Sequence, residues 1–207
     1  MDRVQRWSVV VPAKRLALAK TRLGPTGTRA EHEALVLALL GDTLGAAAAA
    51  RAVDQLWVVT DDPRTAALAA GLGARVVPDS PDAGLNAALA HGAATTGVRC
   101  VAALHSDLPA LRPAELDDAL GRAAVVPRSF VADADGTGTT LLAVTDGDLR
   151  PAFGRGSAAA HAAGGAVALT GDWPGLRRDV DTVEHLAVAR ALGTGPRTAA
   201  SARDACA

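Results

Sequence analysis

Three basic residues, Lys14, Lys20 and Arg22, follow the first apolar run of the chain in the segment V-P-A-K-R-L-A-L-A-K-T-R-L-G. Cations beside the backbone amides of a loop at a strand end can bind a polyphosphate, because the side-chain charges and the N–H dipoles both attract its negative oxygens. The alternative is the solvated start of an amphipathic helix. The segment has neither a Walker loop nor the G-x-G-x-x-G pattern, which disfavours a P-loop or dinucleotide-binding fold.

Three aspartates could hold a divalent cation. Asp107, in H-S-D-L-P, follows the apolar run V-A-A-L and so lies at a strand end, where a carboxylate can bind a hard cation. Asp179 and Asp181 are two residues apart, which places both carboxylates on one side of an extended backbone, able to share Mg²⁺ with Asp107. The alternatives are a turn or cap role for Asp107 and an N-cap role for Asp181, with Glu184 completing a capping box.

Two glycine-rich segments, G-T-G-T-T at 136–140 and F-G-R-G-S-A-A-A-H at 153–161, supply hydroxyls and unhindered amides. The second enters a helix at Ser157, and helix starts favour phosphate or carboxylate anions. The same sequence is also common as an ordinary turn before a helix. His105 and His161 are interpreted as structural, since no Ser/His/Asp order, Cys/His pair or H-E-x-x-H motif indicates a hydrolase.

These segments lie between short apolar runs that alternate with long Ala/Leu segments. The pattern predicts strands at 7–11, 56–60, 74–77, 101–104, 140–144 and 166–169, and helices at 28–51, 63–72, 83–96, 113–122, from 157 and at 182–192. Strands alternating with helices indicate an α/β fold with a mostly parallel sheet, whose ligands bind at the carboxyl ends of the strands. Beyond Val125 the order is less regular, and 195–207 is expected to be a frayed tail of a single domain spanning 1–207.

Composition limits the classes of function. With 49% hydrophobic and 21% charged residues the chain is globular, and a net charge of -1 argues against a nucleic-acid partner. We find no apolar run of about 20 residues to span a membrane and no signal peptide. Cys100 and Cys206 form neither a disulfide framework nor a zinc site. The sequence therefore predicts a cytoplasmic protein.

Seven segments, in order over nearly the whole chain, resemble the 2-phospho-L-lactate guanylyltransferase family, also called phosphoenolpyruvate guanylyltransferase, of coenzyme F-420 biosynthesis. They are V-P-A-K-x-L-x-x-A-K-x-R-L at 11–23, G-L-N-A-A-L at 84–89, D-L-P at 107–109, G-T-T-L-L-A at 138–143, F-G-x-G-S-A-x-x-H at 153–161, D-V-D-T at 179–182 and L-G-x-G-P-R-T at 192–198. Each segment is short, but seven in register are specific. The loops at 61–65 and 128–136 lie where the family varies.

The resemblance implies a glycosyltransferase-A-like nucleotidyltransferase fold, a Rossmann-like three-layer sandwich. It implies GTP as co-substrate, Mg²⁺ or Mn²⁺ as cofactor, and a phosphorylated carboxylic acid as acceptor. By the resemblance, Lys14, Lys20 and Asp107 are catalytic; Asp107, Asp179 and Asp181 hold metal; Lys14, Lys20, Arg22, Gly84, Leu85 and Asn86 bind the nucleotide; and Thr139, Gly154 and Ser157 bind the acid.

Other functions remain open from the sequence. A molybdenum-cofactor or sugar-phosphate nucleotidyltransferase shares the fold, but its G-G-x-S-x-R-[MF]-G-x-[DP]-K loop is replaced here by V-P-A-K. A nucleotide-binding regulatory module without turnover is disfavoured by the three candidate metal carboxylates. Phosphoenolpyruvate, 2-phospholactate and 3-phosphoglycerate all present a carboxylate beside a phosphate, so the acceptor stays open. Partners are small molecules, with hand-over of product to the next transferase of the pathway as a further hypothesis.

Overall fold

The chain is described by a computed structural model over residues 5–13, 16, 28–80 and 82–201. The strands of this part are β1 (Trp7–Pro12), β2 (Val53–Val59), β3 (Arg75–Val77), β4 (Val101–Leu104), β5 (Arg128–Ala132), β6 (Thr139–Val144) and β7 (Val167–Ala168). They form one seven-stranded sheet in the order β3-β2-β1-β4-β6-β5-β7. Among the described strands, β6 runs antiparallel to its neighbours β4 and β5, and the other four pairings are parallel.

Helices cover both faces of this sheet. They are α1 (Arg29–Ala49), α2 (Pro63–Gly71), α3 (Leu85–Thr96), α4 (Pro113–Ala123), α5 (Ser157–Ala163), α6 (Pro174–Arg177), α7 (Val183–Leu192) and α8 (Pro196–Ser201). The predicted capping box at the start of α1 is present, with the Thr28 hydroxyl and the Glu31 carboxylate bonded reciprocally.

The centre of the sheet is β1 beside β4, and both strands are buried along their whole length. Val9 and Val11 pack in a core with residues of α1 and α4, whereas Val10 packs in a second core with residues of α3 and α5. Successive side chains of a strand point to opposite faces, so this apolar run buries both faces of the sheet at once. The predicted α/β fold with a mostly parallel sheet is confirmed.

Three short elements are absent from the sequence prediction. β5 pairs with β6 across the second half of the sheet, and α6 and α8 follow later in the chain. The amides at the start of α6 donate to the buried carboxylate of Glu115, at 3.1 Å from Gly175 N and 2.9 Å from Leu176 N. A four-residue helix held by a side chain 60 residues away leaves little periodic signal in the sequence.

The expectation of a frayed tail from residue 195 is wrong for residues 196–201. The carboxylate of Asp42 accepts hydrogen bonds from the amides of Arg197 at 3.1 Å and Thr198 at 2.8 Å, which caps α8. Gly195 allows this approach, because a Cβ there would lie 2.4 Å from the Asp42 carboxyl carbon. The long α1 thereby anchors the end of the described chain.

α1 is also long and apolar enough, by length and composition, to cross a membrane, which the sequence analysis did not anticipate. Half of its apolar stretch is buried inside the fold, where Leu40 and Leu44 belong to the main core. A buried core helix meets the same two criteria.

α3 lies unusually close to the centre of the sheet. At Gly92, a Cβ atom would lie 2.6 Å from Val59 Cγ2 and 2.7 Å from Val10 Cγ1, shorter than any ordinary contact. The missing side chain lets the helix backbone approach β1 and β2, and this fixes where the start of α3 lies.

We predict that Gly92→Ala destabilises the protein by about 1–3 kcal/mol, because overpacking displaces α3 or the two valines. The matched control is Gly121→Ala in α4, an exposed position with nothing within 4 Å of the added Cβ. That change should stabilise the protein by roughly 0.5–1 kcal/mol through helix propensity alone. Urea unfolding measures both, and an equal shift in the two variants would contradict the close packing of α3.

Candidate active site

The turn after β4 is fixed at both ends. His105 N–H donates to the Thr140 carbonyl at 2.9 Å, which continues the pairing of β4 with β6. Leu108 N–H donates to the Thr43 hydroxyl at 2.9 Å, and that hydroxyl donates to the Leu39 carbonyl within α1. Asp107, between these two anchors, is 5% exposed. The turn therefore presents its carboxylate in a defined place at the carboxyl end of the strand.

A backbone hydrogen bond brings the second carboxylate beside the first. Val180 N–H donates to the Asp107 carbonyl at 3.1 Å, and the Val180 side chain is fully buried. As a result His105, Asp107 and Asp179 each offer a ligand atom within 4.8 Å of the others. The His105 Nδ1 atom lies 3.6 Å from Asp107 Oδ1. Two of the three aspartates that the sequence predicts to share a cation, Asp107 and Asp179, are thus brought together.

These residues fit a divalent cation. Two carboxylates supply the oxygen ligands that Mg²⁺ and Mn²⁺ bind, and the imidazole adds a nitrogen that Mn²⁺ accepts more readily than Mg²⁺. His105, interpreted from the sequence as structural, therefore belongs to the candidate metal group. The signal for it is the spacing H-S-D, because residues two apart in extended backbone point to one side.

Asp181 is not a member of this group of three, although it is close to Asp179 in sequence. It is not the N-cap of α7 either, so that alternative is wrong. The N-cap is Thr182, whose extended backbone (φ −130°, ψ 169°) lets its hydroxyl accept a hydrogen bond from His185 N–H. The role of Asp181 as a metal ligand stays a prediction.

The start of α3 has no side-chain cap. Gly84 occupies the N-cap position with a φ of 93°, a conformation that favours glycine, and its side-chain-free backbone is exposed. Leu85 and Asn86 follow in the first turn, both partly buried. The Asn86 side-chain amide pairs with the backbone of Phe153, so the start of α3 lies beside the glycine-rich turn before α5.

That turn is built around two glycines with positive φ, Gly154 at 135° and Gly156 at 73°. Ser157 N–H donates to the Gly154 carbonyl at 3.1 Å, and Ala158 N–H donates to the Thr137 carbonyl at 3.1 Å. The second bond ties the turn to the loop before β6. The structure therefore brings the two glycine-rich segments together, as expected if they form one site.

Thr139 is linked to this turn through His161, which is fully buried. Ala152 N–H donates to His161 Nε2 at 2.9 Å, so that nitrogen carries no proton and Nδ1 is the protonated one. Nδ1 lies 2.9 Å from the Thr139 hydroxyl and donates to it. Burial, with a smaller effect of the nearby Arg128 charge, lowers the pKa of His161 to about 4. His161 is therefore neutral and fixed in one tautomer, which agrees with the structural role expected from the sequence.

The ring of Phe153 connects the metal group with the turn. Its centroid lies 5.3 Å from the ring of His105 and 5.1 Å from the ring of His161, the latter in an edge-on arrangement. The candidate cation ligands and the glycine-rich turn therefore lie close together, separated by a single aromatic ring.

Lys14, Lys20 and Arg22 lie outside the described residues. Within the same segment, Ala13 N–H donates to the Val59 carbonyl at 2.9 Å, and Leu16 N–H donates to Asp62 at 3.3 Å. Burial raises the pKa of Asp62, but hydrogen bonds from the amides of Thr65, Leu16 and Arg64 outweigh it and hold the pKa below its usual value. Ala13 and Leu16 are thus held at the carboxyl ends of β1 and β2.

The family described as guanylyl transferase CofC like matches residues 7–165, more than half of the chain. The chain belongs to this family. Among similar proteins, the phosphoenolpyruvate guanylyltransferase of Geodermatophilus obscurus is 63% identical over 205 residues, covering 97% of this chain and 95% of that protein. The phosphoenolpyruvate guanylyltransferase of Salinispora arenicola is 58% identical over 198 residues, covering 94% and 92%.

Solved structures share the fold of this guanylyl transferase. A protein from Desulfovibrio desulfuricans G20 described as a nucleotide-diphospho-sugar transferase superposes with a TM-score of 0.71 at 19% identity, over 97% of this chain and 95% of that chain. A nucleotidyl transferase from a Methanothermobacter species gives a TM-score of 0.55 at 21% identity, over 90% and 97%. These likenesses concern the fold alone, and they confirm the predicted glycosyltransferase-A-like nucleotidyltransferase fold.

We predict that the guanylyl transferase binds Mn²⁺ through the group of His105, Asp107 and Asp179. Asp107→Asn should weaken Mn²⁺ binding by roughly 10²-fold or more, and His105→Ala by about 10- to 100-fold, because each change removes a ligand or the partner that orients one. The control is Asp146→Asn, an exposed carboxylate paired with Arg99 just beyond the other end of β6. Calorimetric titration with Mn²⁺ decides it, and unchanged affinity in Asp107→Asn would refute the assignment.

Proposed function

We propose that this protein transfers GMP from GTP to the phosphate of phosphoenolpyruvate and releases pyrophosphate, as a cytoplasmic step of coenzyme F-420 biosynthesis. The observation that carries the proposal is the meeting of a candidate cation site and a glycine-rich anion turn on either side of Phe153. Family membership supplies the guanylyl transfer, and the names of the relatives supply phosphoenolpyruvate as the acceptor.

The chemistry joins two anions. An oxygen of the acceptor phosphate attacks the α-phosphorus of GTP, and the bond from that phosphorus to the bridging oxygen of pyrophosphate breaks. The acceptor is already ionised, so the reaction needs no strong base, and the barrier lies in charge repulsion and alignment. The buried, neutral His161 is accordingly a support for the turn.

A bound Mg²⁺ or Mn²⁺ would neutralise phosphate charge and the charge of the leaving pyrophosphate. His105, Asp107 and Asp179 would hold it, with Asp181 as a further ligand proposed from the family. Their placement at the carboxyl end of β4 fits the rule that ligands of such sheets bind there. In Asp107→Asn, turnover should fall with metal affinity.

The protein's other groups divide between the two substrates. The proposed acid site consists of Thr139 at the start of β6 and of Gly154 and Ser157 in the glycine-rich turn, where hydroxyls and glycine amides suit a carboxylate beside a phosphate. The proposed nucleotide site consists of the segment carrying Lys14, Lys20 and Arg22 and the first turn of α3 with Gly84, Leu85 and Asn86. In this proposal both sites border the metal group, as an in-line transfer between two bound anions requires.

The alternatives weighed from the sequence rank lower. Relatives at more than 50% identity are named for phosphoenolpyruvate, which favours that acceptor over 2-phospholactate and 3-phosphoglycerate. Membership in the guanylyl transferase family also favours this activity over transfer to a sugar phosphate or a molybdenum cofactor, and over a regulatory module. A hand-over of product to the next transferase fits a product that is consumed in the same pathway.

The experiment is mass spectrometry of the products formed from GTP with each of the three acids in the presence of Mg²⁺. We expect a product with the mass of GMP joined to phosphoenolpyruvate, one pyrophosphate per product, and no product in excess chelator. ATP, CTP and UTP should give lower specificity constants than GTP. Preferential use of another acid, or equal use of ATP, would overturn the corresponding part of the proposal.

We predict that Ser157→Ala weakens the phosphorylated acid by about ten- to a hundred-fold while GTP binding changes little, because one hydrogen bond to a charged ligand is lost. Gly154→Val should weaken the acid further, since a β-branched residue cannot adopt a φ of 135° without strain. The control is Ser201→Ala, whose hydroxyl bonds only within α8 among the described residues. Titration of each variant with the acid and with GTP measures the effect. Weaker GTP with unchanged acid would place the turn at the nucleotide.

A further inference from the structure

The side chain of Asn86 makes a paired contact with a backbone segment 67 residues away. Its Nδ2 donates to the Phe153 carbonyl at 3.0 Å, and its Oδ1 accepts from Phe153 N–H at 2.8 Å. Both distances lie in the usual range for N–H···O hydrogen bonds. The Asn86 side-chain amide thus satisfies both backbone groups of Phe153, as a paired strand would.

The contact lies where the turn needs support. The next residue, Gly154, has a φ of 135°, and no regular element holds residues 150–156. Side chains from elsewhere hold the backbone instead, with His161 accepting from Ala152 N–H and Asn86 binding Phe153. The guanidinium of Arg128 also donates to the Arg150 carbonyl, so the conformation of the turn depends on three side chains that precede or follow it in sequence.

The position of Asn86 gives this contact a function. It lies in the first turn of α3, whose close approach to the sheet is fixed at Gly92. Because α3 is anchored in the core, Asn86 has a fixed position, and its two hydrogen bonds hold the backbone of Phe153, next to Gly154, at a fixed place. The ring of Phe153 then lies between His105 of the metal group and His161.

We propose that Asn86 is a positioning residue for the acid-binding turn, and that its side chain serves the acid half of the site rather than the nucleoside. This inference rests on the proposed function for the identity of the acid. It replaces the sequence-based expectation of a nucleotide contact for the Asn86 side chain. It also implies that the start of α3 joins the two substrate sites, since its backbone borders one and its amide holds the other.

Two variants and one control test the proposal. Asn86→Ala removes both bonds to Phe153, and Asn86→Asp keeps the acceptor but directs a second oxygen at the Phe153 carbonyl. We expect the KM for phosphoenolpyruvate to rise about tenfold or more in both, with the KM for GTP changed by less than about twofold. Thr95→Ala is the control. This substitution also truncates a polar side chain of α3, but among the described residues the Thr95 hydroxyl bonds only locally, to the His91 carbonyl.

Hydrogen exchange of the protein without substrates gives a readout independent of activity. Peptides spanning 150–157 should exchange faster in Asn86→Ala than in the native protein, and peptides of α3 and of β1 should not. A loss of protection throughout the protein, an equal rise of both KM values, or a rise for GTP alone would each overturn the proposal. Failure of the native protein to use any phosphorylated acid would instead refute the proposed function, and the exchange result would still report on the turn.

Discussion

The hydrogen bond from Val180 N–H to the Asp107 carbonyl, 3.1 Å long, holds two segments together that carry like charges. Carboxylates within a few ångströms of one another repel when both are ionised, and side chains alone would separate them. Here the backbone holds the two carboxylates in place. The turn of Asp107 is fixed a second time, because Leu108 N–H donates to the Thr43 hydroxyl. The arrangement is consequently held by the fold itself, and a cation bound between the carboxylates would relieve their repulsion.

The central elements could be predicted because their signals are local. β1 and β4 are apolar runs buried on both faces, and the capping box of α1 needs only Thr28 and Glu31. The short elements of the second half depend on distant partners instead. α8 begins where the Asp42 carboxylate accepts two amides, 155 and 156 residues away in sequence. No window of the sequence around 195–201 contains that partner, so the segment looks like a tail.

The site shows the same division. Asp107 and Asp179 of the candidate metal group could be picked out from the sequence, because the end of a strand and a spacing of two residues are short-range features. The environment of His105 and the partner of Asn86 depend instead on where Phe153, distant from both in sequence, lies in the fold. Thr182 takes the cap of α7 because its backbone is extended, a choice between adjacent residues that composition does not decide. Positions carrying charge were thus easier to find than positions that orient a backbone.

The neutral state of His161 determines how the Thr139 hydroxyl is oriented. Ala152 N–H occupies Nε2, so the imidazole has one proton to give, and it gives it to the Thr139 oxygen. A hydroxyl that accepts from a fixed donor directs its own hydrogen elsewhere. Burial keeps the pKa of His161 near 4, so this direction holds at neutral pH. The Thr139 hydroxyl and the backbone at Ala152 therefore keep an orientation that does not vary with proton uptake near neutral pH. The proposed acid site beside the candidate cation site would gain from this, because a titrating charge between them would favour one substrate at the expense of the other.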